Sequence, residues 1–242
     1  MAAAGSGERL GVGGPKAFVP LAGRPMIEWS IAAMRATACV RSIVVACPPG
    51  HVHGGLDGDD LVLVDGGSTR AHSVANALAA VETELVAIHD AARPLVTPEL
   101  IGGVVATLVA DPEVDGAIAA IPVTDTIKQV EGGAAGCSTH PDATRFTLSP
   151  SGGANVDLVI GETLDRGRLW AAQTPQVFRV EALRRALEAD LSQVEAVTDE
   201  AMLIEAVGGR VLIHPGSPEN IKVTTPLDLK LAEALLEERS AQ

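Results

Sequence analysis

Two spacings of apolar residues alternate along the first half of the chain. Short, nearly unbroken apolar runs at 42–47, 61–64, 85–89 and 116–122 have the pattern of strands buried on both faces. Between them apolar residues recur every three or four positions, which predicts helices over 26–37, 70–81 and 98–110. Pro25 suits the first turn of the first helix, and Ser68 or Thr69 suits the cap of the second. This alternation predicts an α/β protein with a Rossmann-like, doubly wound, mostly parallel sheet. Ligands of such a sheet sit outside the carboxyl ends of its strands, where the loops 66–70, 90–93 and 124–128 are expected.

The pattern breaks between 130 and 164, a stretch rich in Gly, Ser, Pro and Thr with short apolar runs such as 156–160. A segment of that length inside a compact domain reads as an arm, a lid or disorder. From Trp170 the globular pattern resumes, with helices expected over 180–191 and over 199–207, the latter capped by Thr198. A strand at 210–214, a further strand opening around Lys222, and a closing helix from Pro226 to about 239 complete the reading. The expected organisation is one domain over 1–242 with an extended β-arm at about 127–168.

Ahead of the first helix lies MAAAGSGERLGVGGPK, residues 1–16. Small residues at Ala3, Ala4, Gly5 and Gly7 let backbone N–H groups close on an anion, and Arg9 and Lys16 add fixed positive charge. A Rossmann dinucleotide loop would open a helix directly, whereas here a second glycine pair and Pro15 intervene. A Walker A loop needs Ser or Thr after its lysine, and Ala17 stands there. A loose terminal tail is the remaining alternative. The best fit is a phosphate cradle of the nucleotidyltransferase type.

Composition sharpens this picture in two ways. Aromatic residues are only 2% of the chain, so the core must be built from Ala, Val, Leu and Ile. The net charge of −13 argues against a general nucleic-acid or anionic-membrane surface, so a phosphorylated ligand needs a local basic cluster. Arg9, Lys16, Arg70, Arg93, Arg166 and Lys222 stand beside Gly-rich or polar loops and are the candidates. Cys39, Cys47 and Cys137 are too widely spaced for a zinc site or a disulfide framework, and the first two read as buried small hydrophobes. His51 and His53 form a weak H-x-H pair in a solvated loop. No signal peptide or long apolar span is present, and a cytoplasmic protein without a protein-built metal site is expected.

Asp90 and Arg93 follow a strand at the ligand edge, either as an ion pair capping the next helix or as ligands for a hydroxyl, a metal and a phosphate. Lys222 follows a Gly/Pro/Glu loop, a place where lysines more often snorkel at the surface.

The stretches AAGSGERL with PKAF, VDGG with R-x-x-SV, HDAARP, PVTDTIK, R-x-x-LW…TPQ-x-F, TDEA and NIKVT-x-P-x-D follow one another over nearly the whole chain. In that order they resemble the 2-C-methyl-D-erythritol 4-phosphate cytidylyltransferases of non-mevalonate isoprenoid synthesis. HDAARP with DTIK is closer to these than to ribitol-5-phosphate cytidylyltransferases, whose first motif tends to read HDSVRP. The resemblance implies transfer of CMP from CTP to methylerythritol phosphate with release of pyrophosphate, Mg²⁺ being held mainly by CTP phosphates. It implies that Arg9, Lys16 and Lys222 stabilise the reacting phosphates. Ala3, Ala4, Gly5, Gly7, Gly67, Ser68, Arg70 and Ser73 would hold CTP, Ser68 standing where some relatives carry aspartate. Asp90, Arg93, Thr126, Arg166 and Thr198 would line the methylerythritol phosphate site, with Thr126 and Arg166 reaching it from the partner subunit of a homodimer.

Two departures accompany the resemblance. Almost nothing precedes Ala3, where the family places an apolar strand, and an incomplete or misassigned start is expected. The span from Thr126 to Arg166 is about twenty residues longer than in those relatives, which lengthens the arm. A cytidylyltransferase for another polyol phosphate and a catalytically inactive nucleotide-binding protein are the alternative functions.

Overall fold

A computed structural model describes residues 1–5, 14–48, 50, 56, 58–130, 159–189 and 198–240. In chain order its elements begin with a hairpin of β1 (Pro20–Leu21) and β2 (Arg24–Pro25), then α1 (Met26–Ala36), β3 (Ile43–Cys47), β4 (Leu61–Asp65), α2 (Arg70–Leu78) and β5 (Leu85–Ile88). They continue with α3 (Pro98–Ala110), β6 (Gly116–Pro122), β7 (Lys128–Val130), β8 (Ile160–Thr163), β9 (Trp170–Arg179), α4 (Val180–Ala189), α5 (Glu200–Ala206), β10 (Val211–Pro215) and α6 (Pro226–Ser240). Residues 1–121 with 172–242 form one unit, and 122–171 form another.

In the larger unit the sheet is mixed. β3 and β4 pair in parallel from Ile43↔Leu61 to Cys47↔Asp65, and β10 pairs in parallel with β6. The four-stranded order is β10-β6-β9-β5, with β9 antiparallel to β5. Ala2 ties the two sheets together through parallel bridges to Ala46 on β3 and to Asp90 just past β5. Ala2 N–H donates to the His89 carbonyl (2.9 Å) and Ala3 N–H to the Ala46 carbonyl (3.0 Å), so the root of the cradle is pinned between the strands. A cavity of about 520 Å³, lined by Ile43 and Val44 of β3, Val86 and Ile88 of β5, and Val74 and Leu78 of α2, lies beneath Met1. The Met1 ammonium is buried there, donates to the Val44 carbonyl (2.6 Å), and is pushed down to about 6 by that burial.

The aliphatic composition builds the core as expected. Phe178, Leu183, Ile204, Ile88 and Leu78 pack α2, α4 and α5 on the sheet, and Val104, Leu108, Ala117 and Val177 pack α3 on it. Leu21, Met26, Leu95, Val223 and Leu236 dock the hairpin and α6. Each such full burial stabilises by about 1.5–3 kcal/mol. Gly116 is required where it stands, because a Cβ there would meet the Phe178 ring at 2.4 Å.

Several expectations are corrected. α2 stops at Leu78 instead of 81, since Ala80 and Val81 donate to carbonyls three residues back and tighten the end into a turn. The segment 220–224 joins no sheet; Val223 N–H donates to the Ala92 carbonyl instead (2.8 Å). α5 is capped by Asp199, whose carboxylate accepts from Met202 N–H, and not by Thr198. Cys47 is buried but Cys39 is exposed. The strand β9 was not expected at all. His51, His53 and Cys137 lie outside the described residues.

In the smaller unit β7 and β8 form an antiparallel pair, and a 3-10 turn at Arg166–Arg168 is capped by Asp165. Arg166 Nη1 donates to the Thr124 carbonyl (2.8 Å), two residues before Thr126.

Candidate active site

At the carboxyl ends of β4 and β5 the larger unit gathers residues from six separate places in the chain. The cradle is the first. Lys16 N–H donates to the Gly5 carbonyl (3.1 Å), so the two ends of the loop meet while Pro15 and a 3-10 turn at Lys16–Phe18 direct the chain away. Ala3, Ala4 and Gly5 are thus held at one side and Lys16 at the other. Gly7 and Arg9 lie outside the described residues.

The loop after β4 is the second place. Thr69 caps α2 by accepting from His72 N–H, Gly67 N–H donates to Ser73 Oγ (3.0 Å), and Ser73 Oγ donates to the Thr69 carbonyl (2.9 Å). Ser68 Oγ lies 3.0 Å from His72 Nδ1. A Cβ on Gly67 would stand 2.3 Å from His72 Cβ, and one on Gly66 would stand 2.5 Å from Ala4 Cβ. The loop therefore sits directly against the cradle, and glycine is what permits both approaches.

Arg70 leaves that loop and turns toward carboxylates. Its Nε and Nη2 both donate to Asp90 Oδ1 at 3.2 Å, and its Nη1 donates to Glu200 Oε1. Asp90 Oδ2 receives Lys222 Nζ at 2.7 Å. Asp90, Arg70 and Lys222, far apart in sequence, are thereby brought into one ionic chain. Burial opposes the charge on Asp90, but Arg70 and Lys222 outweigh it and hold the carboxyl well below its ordinary range. Burial likewise opposes the Arg70 charge and is overcome by Glu200 and Asp90, which keep the guanidinium protonated.

Behind Asp90 runs a neutral relay. Asp90 N–H donates to Thr174 Oγ1 (3.1 Å), and Thr174 Oγ1 lies 3.0 Å from His89 Nδ1. His89 Nε2 faces the Arg93 carbonyl at 3.1 Å, and a carbonyl only accepts, so Nε2 carries the proton and Nδ1 accepts from Thr174. Burial lowers His89 to about 4 and keeps it neutral.

Arg93 fastens the Lys222 segment. Its Nη1 donates to the Asn220 carbonyl (2.7 Å) and its Nη2 to the Ala172 carbonyl (3.3 Å), while Nε is buried without a hydrogen-bond partner. Asn220 Nδ2 in turn donates to Gln173 Oε1 and the Thr174 carbonyl. Thr198 is exposed at the start of α5, its hydroxyl 3.0 Å from Met202 Sδ. Thr126 and Arg166 belong to the smaller unit.

Glu200, His89, Thr174, Gln173 and Asn220 were not singled out by sequence reasoning. Glu200, His89, Thr174 and Asn220 lie inside quoted runs (TDEA, HDAARP, TPQ-x-F and NIKVT), and Gln173 stands just before TPQ-x-F. No three His, Cys, Asp or Glu side chains converge as metal ligands among the described residues. Asp90 offers a single carboxylate, which fits an ion carried in by phosphates and does not make a protein-built cage.

Comparison with known proteins places the chain in a family. The family model described as 2-C-methyl-D-erythritol 4-phosphate cytidylyltransferase matches residues 1–144 and 152–238. A curated protein of that name from Ralstonia nicotianae is 42% identical over 96% of this chain and 88% of its own length. One from Symbiobacterium thermophilum is 38% identical over 99% and 92%. The solved structure of 2-C-methyl-D-erythritol 4-phosphate cytidylyltransferase from Thermus thermophilus superposes with a TM-score of 0.74 at 31% identity, covering 98% of this chain and 97% of that one. With the sheet, the cradle and the Asp90–Lys222 edge in place, these matches show that the chain belongs to the 2-C-methyl-D-erythritol 4-phosphate cytidylyltransferase family.

Proposed function

We propose that the chain catalyses transfer of CMP from CTP to 2-C-methyl-D-erythritol 4-phosphate, giving 4-diphosphocytidyl-2-C-methyl-D-erythritol and pyrophosphate. An oxygen of the alcohol phosphate attacks the CTP α-phosphorus, the bond to the bridging α–β oxygen breaks, and pyrophosphate leaves with the electron pair. The observation that carries this reading is the Lys222 ammonium held on Asp90 at the ligand edge, beside a cradle closed by Lys16.

In this reading the backbone at Ala3, Ala4 and Gly5 cradles the triphosphate, with Gly7 and Arg9 completing the loop. Lys16 and Lys222 meet the charge that builds on the α-phosphate and the departing pyrophosphate, where a preorganised cation does most. Gly67, Ser68 and Ser73 hold the cytidine, and Arg70 supports the nucleotide side while bracing Asp90. Asp90 accepts from the substrate hydroxyls, and Arg93 faces the alcohol phosphate together with Thr198. Mg²⁺ arriving with CTP would supply further charge neutralisation, held mainly by the CTP phosphates.

Thr126 and Arg166 act from the arm of a partner subunit, so the working form is a homodimer. The placement is cytoplasmic: both substrates are small phosphorylated solutes, and no helix among the described residues is long and apolar enough to cross a membrane. Purified protein with CTP and Mg²⁺ should release pyrophosphate with methylerythritol phosphate and not with ribitol 5-phosphate. Turnover with ribitol 5-phosphate alone would reassign the substrate, and CTP binding without turnover would remove the enzyme reading.

A further inference from the structure

Glu200 opens α5 as a carboxylate with 1% of its surface exposed, an expensive place for a charge unless it serves a partner. Its Oε1 accepts from Arg70 Nη1, and its Oε2 is buried without a hydrogen-bond partner. A guanidinium is planar and rigid, so fixing Nη1 on one side fixes the edge that reaches out on the other. That other edge, Nε with Nη2, grips Asp90 Oδ1 and leaves Oδ2 turned to Lys222. Burial raises the Glu200 carboxyl and Arg70 opposes that rise; ionised, Glu200 completes a chain of groups alternating in sign, Glu200, Arg70, Asp90 and Lys222.

We infer that Glu200 is a positioning residue for Lys222: by anchoring Arg70 it sets the side-chain rotation of Asp90 and so the place of the Lys222 ammonium. This rests on the roles proposed above for Asp90 and Lys222. The backbone of Asp90 is already tied by Thr174 Oγ1 and by the bridge to Ala2, so side-chain rotation is the freedom left for Arg70 to govern. With Glu200 neutral, Asp90 would have to balance both Arg70 and Lys222, and the Oδ2 contact to Lys222 would be drawn toward Arg70. Packing does not explain a charge here, since apolar side chains of similar volume usually replace buried ion pairs without loss of stability.

The test uses the full chain with Glu200→Gln, which keeps the shape, and Glu200→Asp, which keeps the charge. In Glu200→Gln kcat should fall about tenfold to a hundredfold, the loss expected for a charged hydrogen bond behind a reacting group, with KM for CTP within about threefold. Glu200→Asp should lie between this variant and the parent. A Glu200→Gln enzyme with parental kcat, or a Glu200→Asp enzyme no better than Glu200→Gln, would overturn the inference. Should Glu200→Gln not fold, a parental kcat in Glu200→Asp would overturn it. A second reading needs no turnover: Arg70 side-chain N–H signals in NMR should exchange slowly in the parent and fast in either variant. Unchanged exchange would refute the anchoring by itself. Absence of any turnover in the parent would sink the proposed function while the Arg70 signals still decide the anchoring.

Discussion

In the proposed reaction Lys16 and Lys222 face a charge that grows as the α-phosphorus becomes five-coordinate, so they should matter more to the transition state than to bound CTP. Lys16→Ala and Lys222→Ala should each lower kcat by about a hundredfold to a thousandfold while KM for CTP changes far less. Steady-state kinetics decide it: a raised KM at parental kcat would make either lysine a binding group only. His89 gives a stability prediction at the same scale. Its ordinary value of 6.5 falls to about 4 in the fold, so between those pH values the unfolded chain binds a proton that the native chain refuses. Stability should therefore drop as pH falls from 6.5 to 4, by up to about 3 kcal/mol, and return as pH rises. Asp90, held below its ordinary range, adds a loss only at still lower pH. Urea denaturation across this window should show the slope, and His89→Gln, which preserves one donor and one acceptor, should flatten it. An equal slope in both proteins would contradict the buried neutral imidazole.

At the scale of elements, β6 and β9 share one contact that allows no extra atom. Gly116→Ala places a Cβ 2.4 Å from Phe178 Cδ1, inside a fully buried ring environment, and should cost about 1–3 kcal/mol through forced displacement. A lower urea midpoint at unchanged slope would show it; an unchanged midpoint would mean the ring moves freely. The elements legible in the sequence are those with a single apolar period: α1, α3 and β6 begin at Met26, Pro98 and Gly116, where the apolar spacing puts them. β9 was not legible because its buried positions include Gln173, Thr174 and Gln176, which are polar and are held by long-range contacts that no local pattern encodes. Lys222 sits in a segment read as a strand for its apolar flanks, yet Val223 spends its N–H on Ala92 and enters the core beside Leu95. The site followed the same division. Asp90, Arg93 and Lys222 were visible as charges beside turns, whereas Glu200 and His89 act from burial and became visible only through their partners.

At the scale of the molecule, the proposed function has a chain of net charge −13 gather phosphates through Lys16, Arg70, Arg93 and Lys222 at one sheet edge. In the proposed dimer the arm would supply a further cation, Arg166, as a shared residue. Arg166→Ala and Lys16→Ala subunits, each inactive alone, should recover about a quarter to a half of parental activity when mixed into verified heterodimers, as shared sites require. No recovery would place each site within one subunit. The central claim concerns which bond forms, and isotope labelling reads it directly. Methylerythritol phosphate carrying ¹⁸O in its phosphate should, with CTP and this protein, give a nucleotide product with label in the oxygen bridging the two phosphorus atoms and pyrophosphate with none. Label in the pyrophosphate, or no labelled nucleotide product at all, would contradict it.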